Sequence, residues 1–494
     1  MRKKLPIFYS ALMLTGVNLL LRFAGTSFQV YLSSRIGAAG IGLLQLVMSV
    51  GGLAMVAGIG GIRTATMYLT AEELGRKRPQ NTLWVLSGCF LYSICFSGCV
   101  AALLYGFAPR IAAVWIGDPR TLEALRLFAA FLPVSCLCGV MTGYFIAANR
   151  IGTLAVIEVA EQLCSMALTL GALVLFAGND PVRACLCVIG GSCAGTLLTL
   201  GCLTALRLRE HPSAGPRIPV AARLAQTALP LAVADDLKSG ITTLENLMVP
   251  KRLGRNTAIH SPLAAFGLVN GMVFPVIMFP AAILFGLTEL LIPELARCHA
   301  AGRTERIHYL VRKALRVTLV YGLVMGGSLF LLSDALCLRL YKTLDAAPSM
   351  RAYALLVPML YCDIITDAMT KGLGQQKTCV RYNIFTSALD VLFLYFLLPR
   401  YGMRGYYVSF LVTHAINFLL SLRRLLKITV RRINLTTSLL SAASMLVGIF
   451  AAYHVADVYL RSVSYVLILG ALLVLCGALR AQDLCWAKGL IYKK

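Results

Sequence analysis

The sequence predicts an all-α integral membrane protein of about 14 transmembrane helices, with two repeated six-helix lobes around a central cavity and two extra C-terminal helices. Two observations lead to this fold class. Of the 494 residues, 59% are hydrophobic and the mean hydropathy is +0.78, which is more apolar than a soluble globular domain requires. An internal repeat also runs through the chain, and a repeat in a membrane protein predicts two related lobes.

Residues that recur at one separation define the repeat. At a separation of about 225 residues, the aligned pairs are Arg126 with Arg351, Pro133 with Pro358, Ala147 with Gly372, and Gly42 with Gly267. One helix earlier, Arg35-Ile36-Gly37 aligns with Arg252-Leu253-Gly254 at a separation shorter by about eight residues. This change predicts a small insertion between Gly254 and Phe266. Lobes related in this way predict a substrate site where they meet, near mid-bilayer, reached alternately from either side, as in a transporter.

The individual spans follow from runs of about 20 apolar residues, which are long enough to cross the hydrocarbon core. Their approximate extents are 8–32, 40–69, 83–107, 121–147, 151–177, 183–207, 225–249, 262–293, 309–333, 352–374, 380–399, 403–425, 436–457 and 461–480. The first run is too long for a signal peptide and no small-residue cleavage site follows it, so we expect an uncleaved first span.

The repeat and the loops predict the domain organisation. Residues 1–207 form the first lobe and 225–425 the second, and a cytoplasmic linker rich in Pro and Gly joins them at 208–224. Residues 426–494 lie outside the repeat and form a helical hairpin with a cytoplasmic tail. The loops are too short to hold a catalytic domain, and no Walker A pattern is present. We therefore expect a protein that is not an enzyme and carries no cofactor.

The net charge of +25 has a distribution that indicates membrane topology. With the N-terminus placed inside, about 28 of the 46 Lys and Arg residues fall on the cytoplasmic side. The positive-inside rule thus predicts a multi-pass protein with both termini in the cytoplasm. A nucleic-acid partner is not expected, because no basic module of domain size exists. The 16 cysteines lie mostly in apolar spans without zinc-ligand spacing, so no metal site is expected.

Charged side chains at mid-bilayer depth cost about 2.5–3.5 kcal/mol each, so they usually face a cavity or a partner. Asn18, Arg22 and Gln29 share one helical stripe of span 1. Arg63 follows a glycine-rich segment late in span 2, and Lys238 lies in span 7. These five residues are predicted to line a cationic substrate-binding cavity suited to phosphate, pyrophosphate or carboxylate.

Structural explanations compete with this interpretation at two of the cations. Lys238 has Asp235 and Glu245 on its own helix as alternative partners. Arg63 lies within two turns of a loop and could extend to the cytoplasmic interface instead.

Acidic and amide side chains form a second set. They are Asp235 in span 7, Asp363 and Asp367 in span 10, and Asn383 and Asp390 in span 11. Oxygen ligands from two helices of one lobe could hold Na⁺, or a carboxylate could carry a proton. The alternative is that these acids neutralise Lys238 and the arginines. Elsewhere, Pro275, Pro280 and Pro293 predict kinks in span 8 that suit gating.

Several segments together resemble the polysaccharide-type branch of the MOP exporter superfamily. The chain is most similar to oligosaccharide flippases like stage V sporulation protein B, and more distantly to the lipid II flippases of MurJ type. The segments that carry the resemblance, within residues 10–425, are 37–45, 70–73, 143–161, 228–230, 249–253, 279–294 and 372–374.

The resemblance implies a V-shaped pair of six-helix lobes that alternate between inward-open and outward-open states. In the family's lipid flippases, a cationic cavity receives the pyrophosphate of an undecaprenyl-linked sugar, and the two extra helices are thought to accommodate the lipid tail. Arg22 matches a basic position of the family's first helix. Gln29 and Ser165 stand where the family often has basic residues.

The resulting hypothesis is a flippase of the bacterial cytoplasmic membrane that moves a lipid-linked oligosaccharide or cell-wall precursor outward. Its expected partners are the anionic lipid-linked sugar and membrane lipids, and a monomer is compatible with the sequence. The main alternative is a MATE-like exporter of organic cations coupled to Na⁺ or H⁺, which Asp363 and Asp367 keep open. A membrane glycosyltransferase is disfavoured by the short loops, and a scaffold without transport by the polar stripes.

Overall fold

The computed structural model describes residues 7–478, except for 60, 77, 149, 178–179, 210–220, 258, 430–434 and 456. Across this described part of the chain the regular structure is helical, with no strand. The all-α fold class is thereby confirmed.

The chain forms two compact units. The first unit comprises the described part of Met1–Gly267 together with Leu394–Pro399. Its helices are α1 (Ile7–Ile59), α2 (Ile62–Gly75), α3 (Thr82–Arg110), α4 (Leu122–Ala147), α5 (Ile151–Ala172), α6 (Pro181–Leu208), α7 (Ala221–Leu253) and α8 (Pro262–Gly267). Three π-helical segments interrupt or extend helices of the chain, at Ile111–Ile116, Leu173–Ala177 and Leu268–Val273.

The second unit comprises Leu268–Phe393 and the described part of Arg400–Lys494. Its helices are α9 (Phe274–Met278), α10 (Ala282–Ala300), α11 (Thr304–Tyr341), α12 (Ala347–Ala354), α13 (Val357–Gly372), α14 (Gln376–Thr429, of which Leu394–Pro399 belongs to the first unit), α15 (Leu435–Tyr453) and α16 (Val458–Leu475). The repeat boundary expected at 208–224 falls largely outside the described residues and stays a prediction.

Among the described residues, eight helices are long and apolar enough to cross a membrane, or up to ten if each of two bent helix pairs is one span. All the segments predicted from the sequence coincide with helices. The smaller number arises because two of the eight helices each contain two predicted segments. In addition, α7 is not among the candidate spans of the described residues, and α15 contributes only the shorter apolar helix Leu440–Tyr453.

Glycines separate the spans that are merged into one long helix. Gly37 within α1 has φ 73°, and Gly402 within α14 has φ 54°. Glycine reaches this left-handed half of conformational space without the clash that a Cβ would cause. Each glycine stands between two predicted spans and breaks the helix there. Where a longer loop intervenes, an aspartate can cap the next helix: Asp180 Oδ1 accepts from Val182 N at 3.0 Å, just before Pro181 opens α6.

The repeat recurs in the backbone at the ends of α3 and α11. The π-helical turn after α3 ends at Gly117, with φ 85°. At the equivalent place α11 ends at Lys342, with φ 59°, the single non-glycine residue with positive φ in the described chain. Both residues form left-handed C-terminal caps, so the separation found in the sequence holds through this helix.

The predicted insertion is also present. In the first copy Gly37 alone interrupts the helix, whereas in the second copy residues 254–261 lie between α7 and α8. Asn256 in this loop donates from Nδ2 to the carbonyl of Pro399 at 3.1 Å. The inserted loop therefore holds the part of α14 that belongs to the first unit.

The kink predicted at Pro280 is confirmed. The bent pair Pro262–Met278 and Ala282–Thr288 turns through 63°. Three tyrosine hydroxyls of the second unit donate to carbonyls along this bent segment: Tyr341 to Met272 at 2.7 Å, Tyr361 to Ile277 at 2.8 Å and Tyr321 to Pro280 at 2.8 Å. Because a broken helix leaves carbonyls without their usual donors, these hydroxyls stabilise the bend.

The C-terminal hairpin of α15 and α16 packs on α11. Tyr465 on α16 is fully buried and donates to the Leu323 carbonyl at 2.7 Å. Its ring occupies the space beside Gly327, where an added Cβ would collide with it. Met445 and Leu469 complete this core. The hairpin is therefore an integral part of the second unit.

Candidate functional site

The three cations proposed for the substrate cavity all belong to the first unit. Arg22 lies in the first half of α1, Arg63 near the start of α2, and Lys238 in α7. All three side chains are exposed. An arginine or lysine on a membrane-spanning helix is very unfavourable against lipid, so its exposed side is expected to face water or a polar ligand.

The local backbone explains how Arg63 is placed. Gly61, with φ 69°, precedes the first residue of α2. Gly143 on α4 lies so near that an added Cβ would come within 2.5 Å of the Arg63 carbonyl oxygen. The backbone of α2 thus packs tightly on α4 and directs the Arg63 side chain outward. Its charge also acts on Glu158 of α5, so this cation has an acidic neighbour.

The polar residues on the same stripe as Arg22 are only partly described. Gln29 is half-buried, and its Nε2 has no hydrogen-bond partner among the described residues. The backbone of Asn18 is helical, but its side chain lies outside the described residues, as does the side chain of Asp235 on α7. Gln29 therefore retains a donor for a ligand or water.

Lys238, Thr242 and Asn246 recur every four residues and form a polar stripe of α7, which serves packing in part. Asn246 Nδ2 donates to Ser49 Oγ at 2.9 Å, and Thr243 Oγ1 donates to the Ser49 carbonyl at 3.1 Å. Thr242 donates to the carbonyl of Lys238 on its own helix. The end of this stripe thus fastens α7 to α1, and Lys238 is the exposed cation that remains on it.

Glu161 of span 5 belongs to the acidic set that the sequence indicates, but its partner Thr199 was not predicted. Thr199 of α6 donates to Glu161 Oε2 of α5 at 2.6 Å. Close approach of the two helices permits this, because Gly191 and Gly195 of α6 face the α5 backbone, with Ser165 against Gly195. Gly191, Gly195 and Thr199 are spaced by four residues along α6, and this small-residue spacing could have indicated a close helix–helix contact.

In the second unit, Asp390 of α14 is buried, with 5% of its surface exposed. Its Oδ1 accepts hydrogen bonds from Ser409 Oγ at 2.5 Å and Thr413 Oγ1 at 3.1 Å. Neutral hydroxyls supply these bonds, and they come from the part of α14 that follows the Gly402 kink. Two halves of one kinked helix therefore converge on a buried carboxylate.

Asp363 and Asp367 of α13 have different surroundings. Asn417 Nδ2 donates to Asp363 Oδ2 at 3.1 Å, and Thr386 Oγ1 lies 3.4 Å from Asn417 Oδ1. Asp367 forms an ion pair with Lys371 at 2.6 Å, one turn along the same helix. The Asn383 carbonyl accepts from Thr386 at 3.2 Å. Asp367 is thus neutralised within its helix, whereas Asp363 belongs to a polar network.

The residues that bind these acids were not predicted from the sequence. Ser409, Thr413 and Asn417 recur every four residues and form one stripe of α14. That four-residue spacing could have indicated a polar face directed at the acids. The same spacing of hydroxyl residues is also common in membrane helices where it has no function. Within the described residues, no group of three or more His, Cys, Asp or Glu side chains is placed to hold a metal ion.

Comparisons with known proteins find matches to this chain in sequence and in structure. The family model described as MatE matches residues 252–396. A curated relative, stage V sporulation protein B of Bacillus subtilis (strain 168), is 23% identical over 407 residues, covering 80% of this chain and 78% of the relative.

Two solved structures show the same fold. The lipid II flippase MurJ, in an inward closed conformation, covers 96% of this chain and 100% of its own at a TM-score of 0.68 and 13% identity. An inward-facing MATE multidrug transporter of the MOP superfamily covers 85% of this chain and 100% of its own at a TM-score of 0.66 and 12% identity. The resemblance to the MOP exporters is thereby confirmed: the chain has the fold of these multi-pass membrane transporters.

Proposed function

We propose that this chain, which resembles the MOP exporters over most of its length, moves a lipid-linked anionic oligosaccharide or cell-wall precursor from the cytoplasmic to the outer leaflet by alternating access. An undecaprenyl-pyrophosphate-linked sugar is the substrate class. The site of action is the bacterial cytoplasmic membrane, with both termini in the cytoplasm. The curated relative supports the polysaccharide-type branch, and the MurJ fold supports a lipid substrate.

The exposed guanidinium of Arg22 carries this proposal. It belongs to α1, within the candidate span Leu19–Leu74, where a charge facing lipid would be costly. Arginine binds phosphate oxygens through paired, charge-assisted hydrogen bonds. A pyrophosphate head group is complementary to this side chain in charge and geometry, whereas an organic cation would be repelled by it.

Arg63 and Lys238 also favour an anionic substrate over a cationic one. Both are exposed, and they belong to the same unit as Arg22. Transport of an anion outward also agrees with the energy source of such a protein. Each negative charge that leaves an inside-negative cell gains about 2.3 kcal/mol per 100 mV. A pyrophosphate with two charges is therefore driven outward without ATP.

Coupling to Na⁺ or H⁺ is assigned to the second unit. Asp390 and Asp363 are carboxylates whose hydrogen bonds come from hydroxyl and amide groups. Such oxygen-rich surroundings suit Na⁺, and a buried carboxylate held by neutral hydrogen-bond donors can carry a proton. Asp367 has the smaller part in this proposal, because Lys371 forms an ion pair with it.

The same carboxylates favour a second candidate function, a MATE-like exporter of organic cations driven by Na⁺ or H⁺. The two functions differ in the sign of the transported charge. Purified protein in proteoliposomes is offered either a fluorescent undecaprenyl-pyrophosphoryl sugar or a cationic dye. Movement of the lipid, with or without a cation gradient, supports the flippase. Export of the dye against a Na⁺ or H⁺ gradient, with no movement of the lipid, supports the exporter and excludes the flippase.

A further inference from the structure

One arginine of the repeat has a partner in the second copy that the first copy lacks. Arg351, on α12, donates from Nε to Ser333 Oγ at 3.1 Å and forms an ion pair through Nη2 with Asp334. Both partners lie on α11. The second copy thus neutralises its arginine between neighbouring helices.

The equivalent arginine of the first copy is Arg126, on α4. The positions of Ser333 and Asp334 are occupied there by Ala108 and Pro109, at the end of α3. Neither side chain can accept a hydrogen bond or supply a negative charge. The matching caps at Gly117 and Lys342, eight residues further along each helix, show that this alignment holds locally.

Arg126 makes a cation–π contact with an aromatic ring of α3. Its guanidinium carbon lies 5.0 Å from the ring centroid of Tyr105, one turn before Pro109 on α3. Its Nε is buried and has no hydrogen-bond partner among the described residues. The aromatic face holds the guanidinium in place, and the Nη groups, which are not among its buried atoms, remain available as hydrogen-bond donors.

We propose that Arg126 binds the phosphate group of a membrane lipid, which takes the place of the carboxylate that Asp334 supplies in the second copy. Phosphate is the expected ligand because a guanidinium edge donates to phosphate oxygens as it does to carboxylate oxygens. The position of Arg126 in the fold indicates that a lipid supplies this phosphate. Arg126 lies in the second turn of α4, at one end of the candidate span Pro119–Ala147, where lipid head groups reside.

The predicted topology places this site on the outer side of the membrane. The lipid phosphate can belong to a resident anionic phospholipid or to a polyprenyl phosphate, and both offer the same oxygens to Arg126. The inference depends on the repeat and on the contacts of Arg126, and it stands whether or not the proposed flippase function is correct.

The repeat supplies the variants that test this site. Arg126→Gln removes the charge, and Arg126→Lys keeps the charge without the planar guanidinium. Pro109→Asp installs the carboxylate that the second copy has at this position, and Pro109→Asn is its uncharged control. Pro109 is exposed and lies in the last turn of its helix, so both replacements are compatible with α3. Thermal melting of each purified variant verifies that it is folded.

Native mass spectrometry of the delipidated full chain measures lipid binding. The probes are phosphatidylglycerol and undecaprenyl phosphate, added separately, with phosphatidylcholine as the neutral-lipid control. We expect Arg126→Gln and Pro109→Asp to weaken one lipid-binding event about tenfold. In each variant the charge-assisted hydrogen bond from Arg126 to the lipid is lost, in the second because the new carboxylate accepts it instead. Arg126→Lys and Pro109→Asn should retain most of the binding.

The pattern of loss identifies the lipid. A loss confined to phosphatidylglycerol or to undecaprenyl phosphate names the source of the phosphate, and a loss for both shows that the site accepts either. In the Arg126→Gln background, Pro109→Asp should have no further effect. Unchanged binding of both anionic lipids in Arg126→Gln and Pro109→Asp would overturn the proposal.

Discussion

Gly42 and Gly267, which occupy equivalent positions of the internal repeat, pack backbone to backbone. A Cβ added to Gly267 would collide with the Ala38 carbonyl oxygen and come within 2.8 Å of the Gly42 Cα. A Cβ added to Gly42 would collide with the Leu263 carbonyl oxygen. Each glycine thus faces the carbonyl four residues before its counterpart, so the crossing of α1 and α8 has a local two-fold relationship.

We expect Gly267→Ala to be destabilising by about 1–3 kcal/mol, because the new methyl group meets main-chain atoms that cannot move aside. Gly42→Ala should have an effect of the same sign. Thermal melting of the purified protein measures both. Gly52→Ala is the matched control: it lies on the same helix with no atom within 4 Å of the added Cβ. A melting temperature of Gly267→Ala equal to that of Gly52→Ala would contradict the close packing of this crossing.

The left-handed cap at Lys342 predicts a stabilising substitution. A side chain with a Cβ is strained at φ 59°, and Gly117 occupies the equivalent cap of the first copy. Lys342→Gly should therefore stabilise the protein by about 0.5–1 kcal/mol, and Gly117→Ala should have the opposite effect. Both changes are measured as shifts of the melting temperature. A loss of stability in Lys342→Gly would show that its side chain, and not its backbone, decides the conformation there.

The hydroxyl of Tyr361 is expected to stabilise the bend of the broken span. Tyr361→Phe leaves the Ile277 carbonyl without this donor in a buried setting, which costs about 1–3 kcal/mol. Tyr401→Phe is the control, because 60% of the Tyr401 surface is exposed. Hydrogen exchange around the bend should increase in Tyr361→Phe alone. Equal protection in both variants would mean that the bend holds without this bond.

The proposed ion site is tested by removing its charge. Asp390→Asn keeps a group that can hydrogen-bond to Ser409 and Thr413 but cannot take up a proton or balance Na⁺. Transport by this variant should lose its dependence on a Na⁺ or H⁺ gradient. Asp367→Asn, where the wild-type acid is paired with Lys371, should keep that dependence. If both variants respond to the gradients as the wild type does, Asp390 has a structural role.

The sequence allows much of this fold to be predicted, because hydrophobic length and the repeat constrain it strongly. The two glycines that meet at the α1–α8 crossing are the two residues that the repeat aligns, and Pro280 lies at the bend of the broken span. The interruptions at Gly37 and Gly402 were less accessible, since a single glycine in an apolar run is compatible with a continuous helix. Their positive φ values are a property of the folded chain.

The candidate site was less predictable because its partners are distant in sequence. Asn246 belongs to a polar stripe that suits a cavity equally well, yet it bonds Ser49, 197 residues away. The hydroxyls around Asp390 lie on the same helix but reach it only because α14 is kinked. Periodicity identifies a polar face, and tertiary packing decides whether that face binds a ligand or another helix.

The central claim is that Arg22 binds the anionic head group of a transported lipid. The most direct measurement is flipping of a fluorescent undecaprenyl-pyrophosphoryl sugar in proteoliposomes under an imposed membrane potential, for the wild type, Arg22→Gln and Arg22→Lys. We expect flipping by the wild type that increases with the potential, a loss of about tenfold or more in Arg22→Gln, and partial recovery in Arg22→Lys. Flipping by Arg22→Gln at the wild-type rate would contradict the claim.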